Sequence, residues 1–158
     1  MWCDVVKIYR EEVINVFMGE YQHTLDGKGR LILPAKIREG LGETFIATRG
    51  LDECLFIYTM EEWATLEGKL KQLSLVKPEA RAFSRYIFSG AAELEADKQG
   101  RVLLPPNLRE YAKLEKDVVV IGVASRVEIW DKEAWRKYNE RMGPTVEQLS
   151  EQLIDFGI

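Results

Sequence analysis

The sequence predicts an α+β chain, mainly β with helices. Two internal repeats pair about a pseudo-two-fold axis into one small β-barrel, with linker and C-terminal helices around it. Three observations lead there. The stretch Asp26–Glu39 (DGKGRLILPAKIRE) returns 71 residues further on as Asp97–Glu110 (DKQGRVLLPPNLRE), without a gap. Asp26/Asp97, Gly29/Gly100, Arg30/Arg101, Leu33/Leu104, Pro34/Pro105, Arg38/Arg109 and Glu39/Glu110 are identical pairs, and such a duplication sets the architecture before any single element does. At about 45 residues each copy is also near the size at which a lone core fails, so the two are expected to share one.

Residues 1–15 read differently from the rest. Trp2, Val5, Val6 and Ile8 are interrupted by Asp4, Lys7, Arg10, Glu11 and Glu12, so no signal-peptide core exists there. Glu11-Glu12-Val13 can be encoded by a stretch containing AGGAGGT, a bacterial ribosome-binding sequence, and Val16 stands where a GTG start codon would follow. Residues 1–15 are therefore expected to be a non-native leader, with a disordered tail as the alternative.

The first repeat is expected over 20–62: a strand through Tyr21 to Thr24, the motif, then strands near Thr44–Thr48 and Leu55–Tyr58. Asp26-Gly27-Lys28-Gly29 is a turn that the aspartate caps and the glycines allow. Arg30-Leu31-Ile32-Leu33 is a short apolar strand bounded by turn and proline. Pro34 opens a helical turn at the first helical position, where its missing N–H is not needed, and Gly42 closes it. A helical linker over 63–90 carries Trp63, Leu66, Leu70 and Leu73 on one face, and its second helix runs from Pro78 to Gly90. The second repeat is expected over 91–134, with strands Ala91–Glu95, Arg101–Leu104, Val118–Val123 and Val127–Trp130 and a helix over Pro105–Ala112. Helices fill 135–158. Asp131 caps the first, Gly143-Pro144 breaks it, and Thr145–Asp155 forms a last one with Val146, Leu149 and Leu153 on one face.

Composition narrows the function classes. Of 158 residues 30% are charged, and the formal net charge is −4, so a nucleic-acid partner must be met by a local patch rather than a global field. Cys3 and Cys54 stand in no metal or redox spacing, which fits free thiols in a reducing cytoplasm. No apolar run approaches the roughly 18 residues of a membrane span. His23 is the only histidine and sits mid-strand without a catalytic motif, and phosphate-cradling motifs are absent. The expectation is therefore no enzyme, no cofactor, no metal and no small-molecule substrate.

Two copies of Asp-x-x-Gly-Arg followed by three apolar residues and proline, joined by a helical linker and closed by a helix, resemble the MraZ family of bacterial regulators. Each copy resembles the SpoVT/AbrB type of swapped-hairpin DNA-binding domain, and the likeness covers the chain from about Phe17 onward. It implies a cytoplasmic, nucleoid-associated transcriptional regulator of the cell-division and cell-wall gene cluster. Such a regulator binds short direct repeats of double-stranded DNA upstream of its own operon and assembles into homo-oligomeric rings. The family's Asp-x-x-x-Arg signature falls on Asp26 and Arg30, then on Asp97 and Arg101.

The candidate DNA-binding residues are Arg30, Lys28, Gly29, Arg101, Lys36 and Arg38; Asp26, Asp97, Gly100, Pro34 and Pro105 are the structural members of the motif. Arg30 follows a tight turn, where a guanidinium reaches a groove edge or a phosphate, or else pairs with Asp26 to fix the turn, and Arg101 stands at the equivalent place. Lys28 reads as a phosphate contact or a solvated turn lysine. Lys36 and Arg38 read as phosphate contacts or a solvated helix face, as do Arg81 and Arg85 on the linker. Gly29 and Gly100 serve backbone geometry first. Trp63 and Trp135 read as core anchors, and Cys54 as a buried strand residue. The first motif carries net charge +2 and the second +1, which makes the first the better electrostatic footprint. The competing reading is an antitoxin-like protein-interaction module, an AbrB-like barrel joined to a partner-binding C-terminal tail. The regular apolar stripe of Val146, Leu149 and Leu153 favours self-association instead.

Overall fold

The computed structural model describes residues 16–157; the leader expectation for residues 1–15 lies outside them. Among the described residues eight strands and five helices follow in order: β1 (Glu20–Thr24), β2 (Arg30–Ile32), α1 (Ala35–Leu41), β3 (Thr44–Arg49), β4 (Leu55–Thr59), α2 (Met60–Lys71), α3 (Pro78–Gly90), β5 (Ala92–Glu95), β6 (Arg101–Leu103), α4 (Pro106–Tyr111), β7 (Asp117–Val123), β8 (Arg126–Asp131) and α5 (Lys132–Leu153), with a 3₁₀ turn at Ile154–Phe156.

Six strands form one antiparallel sheet in the order β1-β7-β8-β4-β3-β5, and β2 and β6 form a separate two-stranded ribbon. Exchanging the repeats reverses the sheet order onto itself, so a pseudo-two-fold axis passes between β4 and β8. It also crosses the ribbon at Leu31, which pairs with its own counterpart Val102. The first strand of each repeat lies beside the third strand of the other: β1 on β7, β5 on β3. The hydrogen-bonded sheet is open, with β1 and β5 as its edges, rather than a continuous closed barrel. Isolated bridges from Leu25 to Leu31 and from Ala96 to Val102 join each edge strand to the ribbon.

The ribbon lies over one face of this sheet, and the main core fills the space between. Leu31, Leu33, Ile37, Phe45, Ala47, Leu55 and Ile57 meet Val102, Leu104, Leu108, Val118, Val120, Val127 and Ile129. Alternation explains the choice: in each ribbon strand only the central residue points inward, while Ile32 and Leu103 face out at 52% and 55% exposure. On the opposite sheet face a smaller cluster of Cys54, Val119, Ile121 and Trp130 packs against Trp135 and Tyr138 of α5. Trp63 stacks edge-on against Phe88 and tilts against Tyr58. Both tryptophans expected as core anchors are thus half-buried members of satellite clusters under the helices, outside the main core.

Two local expectations are corrected. Pro34 and Pro105 precede their helices rather than open them: both have extended backbones (ψ 141°), and the carbonyl of Pro34 accepts the first intrahelical bond, from Arg38 N–H at 2.9 Å. Gly143-Pro144 does not break the C-terminal helix. α5 runs unbroken from Lys132 to Leu153 with Pro144 inside it, so the expected last helix is its continuation. A proline removes one bond to the carbonyl four residues back, and here that residue, Glu140, is exposed to solvent that can satisfy it.

Candidate nucleic-acid interface

Each turn is built on its aspartate. Asp26 Oδ1 accepts from the backbone N–H of Lys28 and of Arg30, both at 2.9 Å, and its Oδ2 accepts from Arg30 Nε at 2.6 Å. Gly29 N–H closes the turn onto Asp26 O at 3.0 Å, with φ +80° at the glycine, a region where a Cβ is costly. Asp97 repeats the set: Oδ1 accepts from Gln99 and Arg101 N–H at 2.9 Å, Oδ2 accepts from Arg101 Nε at 2.8 Å, and Gly100 has φ +78°. The backbone N–H of Arg30, with its side chain and the Lys28 N–H, holds the Asp26 carboxyl well below the usual carboxylate range, at about 2. Asp97 is lowered by the same contacts from Arg101 and Gln99.

The aspartates leave the arginines half-exposed and aimed. Pairing through Nε fixes the plane of the guanidinium and leaves its two Nη groups, the edge that binds guanine or phosphate bidentately. The turn-bracing and DNA-contacting readings are therefore compatible in one side chain. The ribbon register brings both arginines onto one outward face: Arg30 lies opposite Leu103, and Ile32 opposite Arg101. Two cations alternate with two exposed apolar side chains there, flanked by the exposed turn lysines Lys28 and Lys98.

The remaining candidates are scattered. Lys36 is exposed on α1. Arg38 is half-buried and crosses to the other repeat, its guanidinium lying against Gly100. Arg109, which sequence reasoning left aside, does the mirror image against Gly29, and its Nε donates to Leu104 O at 3.0 Å. The signal for it was present, since Arg38 and Arg109 occupy one register in the two motifs. Arg81 is taken up locally, donating to Leu75 O at 2.8 Å and Val76 O at 3.0 Å. Cys54 is buried immediately before β4, and burial pushes its thiol up. Among the described residues no group of three His, Cys, Asp or Glu side chains could hold a metal ion, and no helix is long and apolar enough to cross a membrane.

The profile of the family described as "MraZ protein, putative antitoxin-like" matches the chain twice, over residues 16–86 and 87–156. The chain is 60% identical over 143 residues to a protein of Heliobacterium modesticaldum named transcriptional regulator MraZ, covering 90% of this chain and all of that protein. A protein of the same name from Desulforamulus reducens is 60% identical over 141 residues, covering 89% of this chain and 99% of its own length. Another, from Natranaerobius thermophilus, is 57% identical over 143 residues.

Proposed function

The chain belongs to the MraZ family, and from that premise we propose that it is a transcriptional regulator that reads double-stranded DNA through the β2–β6 ribbon and its two turns. One observation carries the reading: a two-stranded antiparallel ribbon presents Arg30 and Arg101 on one outward face, each guanidinium oriented by its own aspartate. The major groove admits such a ribbon, and an oriented guanidinium is the commonest reader of guanine in it. Lys28 and Lys36 lie nearer the phosphates, with Arg30 as principal reader because the first turn is the more basic; Gly29, expected among the DNA contacts, is buried with its N–H on Asp26 O and its carbonyl taken by Leu104 N–H, and shapes the turn instead. The targets are short direct repeats upstream of its own operon in the cell-division and cell-wall gene cluster, which the protein meets in the cytoplasm at the nucleoid.

One ribbon carries little charge, so affinity at physiological salt comes from several subunits on adjacent sites. The contact is head-to-tail and closes into a ring, which presents the ribbons in one sense and suits direct repeats. Two unlike exposed patches support this. Val146, Leu149, Ile154 and Phe156 lie beside Glu147, Glu151 and Asp155, whereas Leu73, Leu75 and Val76 lie beside Lys69, Lys71 and Lys77.

Footprinting on the DNA upstream of the chain's own gene, with binding titrations at several salt concentrations, tests the reading. Arg30→Ala is expected to cost about 1–3 kcal/mol and to relax sequence preference. Lys28→Ala weakens binding on all sequences alike and flattens the salt slope by about one unit. Arg101→Ala falls between them. An Arg30→Ala protein that binds its operator normally removes the base-reading role.

A further inference from the structure

The two turns are buttressed from the wrong side, each by the helix of the other repeat. At Gly29 a Cβ would sit 2.6 Å from Arg109 Nε, closer than real side chains come, and at Gly100 it would sit 3.0 Å from Arg38 Cζ. Both glycines are buried although their neighbours Lys28 and Gln99 are exposed, and a guanidinium from the other repeat lies against each. The backbone is exchanged in the same sense: Leu104 N–H donates to Gly29 O at 3.1 Å and Leu33 N–H to Gly100 O at 3.2 Å. Arg109 tightens the first of these links by donating from Nε to Leu104 O at 3.0 Å. Among the described residues neither Arg38 nor Arg109 has an ion-pair partner, so neither is held by a salt bridge of its own.

We propose that Arg109 and Arg38 are crossed positioning residues: Arg109 of the second repeat sets the first DNA-reading turn, and Arg38 of the first repeat sets the second. The inference rests on the ribbon being the DNA-reading surface. Its physical content is that each turn needs φ near +80° at a glycine and a rigid platform beneath it, because an arginine reads a base only when its backbone is fixed. A planar guanidinium lies flat on a peptide; a lysine ammonium carries the same charge but offers no such plane. Arg109 is the more consequential of the two, because it serves the more basic turn and adds the Leu104 hydrogen bond.

Amide hydrogen exchange on the full chain without DNA decides the positioning claim independently of the DNA-binding one. The amides of Lys28, Gly29 and Arg30 report the first turn and those of Gln99, Gly100 and Arg101 the second, since all six donate to Asp26 or Asp97. Arg109→Lys is expected to speed exchange in the first turn and leave the second near wild type; Arg38→Lys does the reverse. Equal acceleration in both turns, or none in either, overturns the proposal. On a duplex of the DNA upstream of the gene, against a scrambled duplex of equal length, Arg109→Lys keeps the salt slope. It loses discrimination by about fivefold or more, the lower end of what a bidentate guanine contact supplies. Discrimination equal to wild type means the charge alone acts, and the positioning role falls. A wild-type chain that fails to prefer the upstream duplex removes the DNA-reading assignment, while the crossed exchange pattern still decides whether these arginines set the turns.

Discussion

At the scale of single residues, the aspartates of the two turns do more than cap. Asp26 accepts three donors, and these draw its carboxyl to about 2, below its ordinary 3.8. A carboxylate lowered in the folded state lends stability that is fully present above its unfolded value and is lost as pH falls through its folded one. The Asp26–Arg30 brace is therefore expected to be intact at pH 4 and to open only as pH approaches 2. An NMR titration of the Asp26 carboxyl carbon measures this, and a midpoint near 4 contradicts it. Cys54 is the other residue whose surroundings dictate its chemistry. Its thiol donates to Leu51 O at 3.1 Å and is fully buried, and burial disfavours the reactive thiolate. Iodoacetamide, followed by peptide mass spectrometry, is expected to leave Cys54 unlabelled in the native protein and to label it in denaturant.

At the scale of elements, capping and proline chemistry explain how the helices begin and continue. Thr59 Oγ1 accepts from Glu62 N–H at 3.0 Å to start α2, and Asp131 Oδ2 accepts from Ala134 N–H at 3.0 Å to start α5. The two caps stand at equivalent places after β4 and β8, and α5 has no residue buried in the core. Asp131→Ala is expected to cost about 0.5–2 kcal/mol, with a lower denaturant midpoint at unchanged slope. Pro144 acts oppositely. It sits inside α5, where proline costs up to about 3 kcal/mol relative to alanine, so Pro144→Ala is expected to raise helicity and the melting temperature. Circular dichroism of the two variants checks both signs. No gain for Pro144→Ala would mean that the outer half of α5 is held by something other than its own backbone bonds.

At the scale of the whole molecule, the repeats are interlocked rather than adjacent. β1 finds its partner β7 in the other repeat, β5 finds β3, and the ribbon takes one strand from each. A fragment ending at Gly90 would keep β3–β4 but leave β1 and β2 without partners, and the buried Leu31 and Leu33 would lose Val102 and Leu104 from their core. Residues 16–90 and 91–157 are each expected to be unfolded alone, and an equimolar mixture to regain sheet structure by circular dichroism. A cooperatively folded single fragment would show that the exchange is dispensable. The same interlock rests each turn on the other repeat, because the groups beneath one belong to the helix that follows the other.

The sequence by itself determined the duplication, the turn chemistry and most of the elements, because these follow from local rules: glycine at positive φ, aspartate capping a turn, apolar residues in short alternating runs. It also offered the pairing of Arg30 with Asp26 as one of two readings, since four residues across a tight turn bring the two groups together, and the structure repeats it at Arg101 and Asp97. Tertiary structure decided what depends on another segment. The helix runs on through Pro144, one turn after the exposed Glu140, against the local rule that a proline ends a helix. The six-stranded ladder ends at β1 and β5, which meet the ribbon only through the isolated bridges at Leu25 and Ala96, and Trp63 and Trp135 pack under their own helices outside the main core. From the sequence Arg38 reads as a phosphate contact or part of a solvated helix face, and Arg109 is marked only by sharing its register. Only the exchange of segments between repeats places their guanidinium groups against glycines some sixty to eighty residues away in the chain.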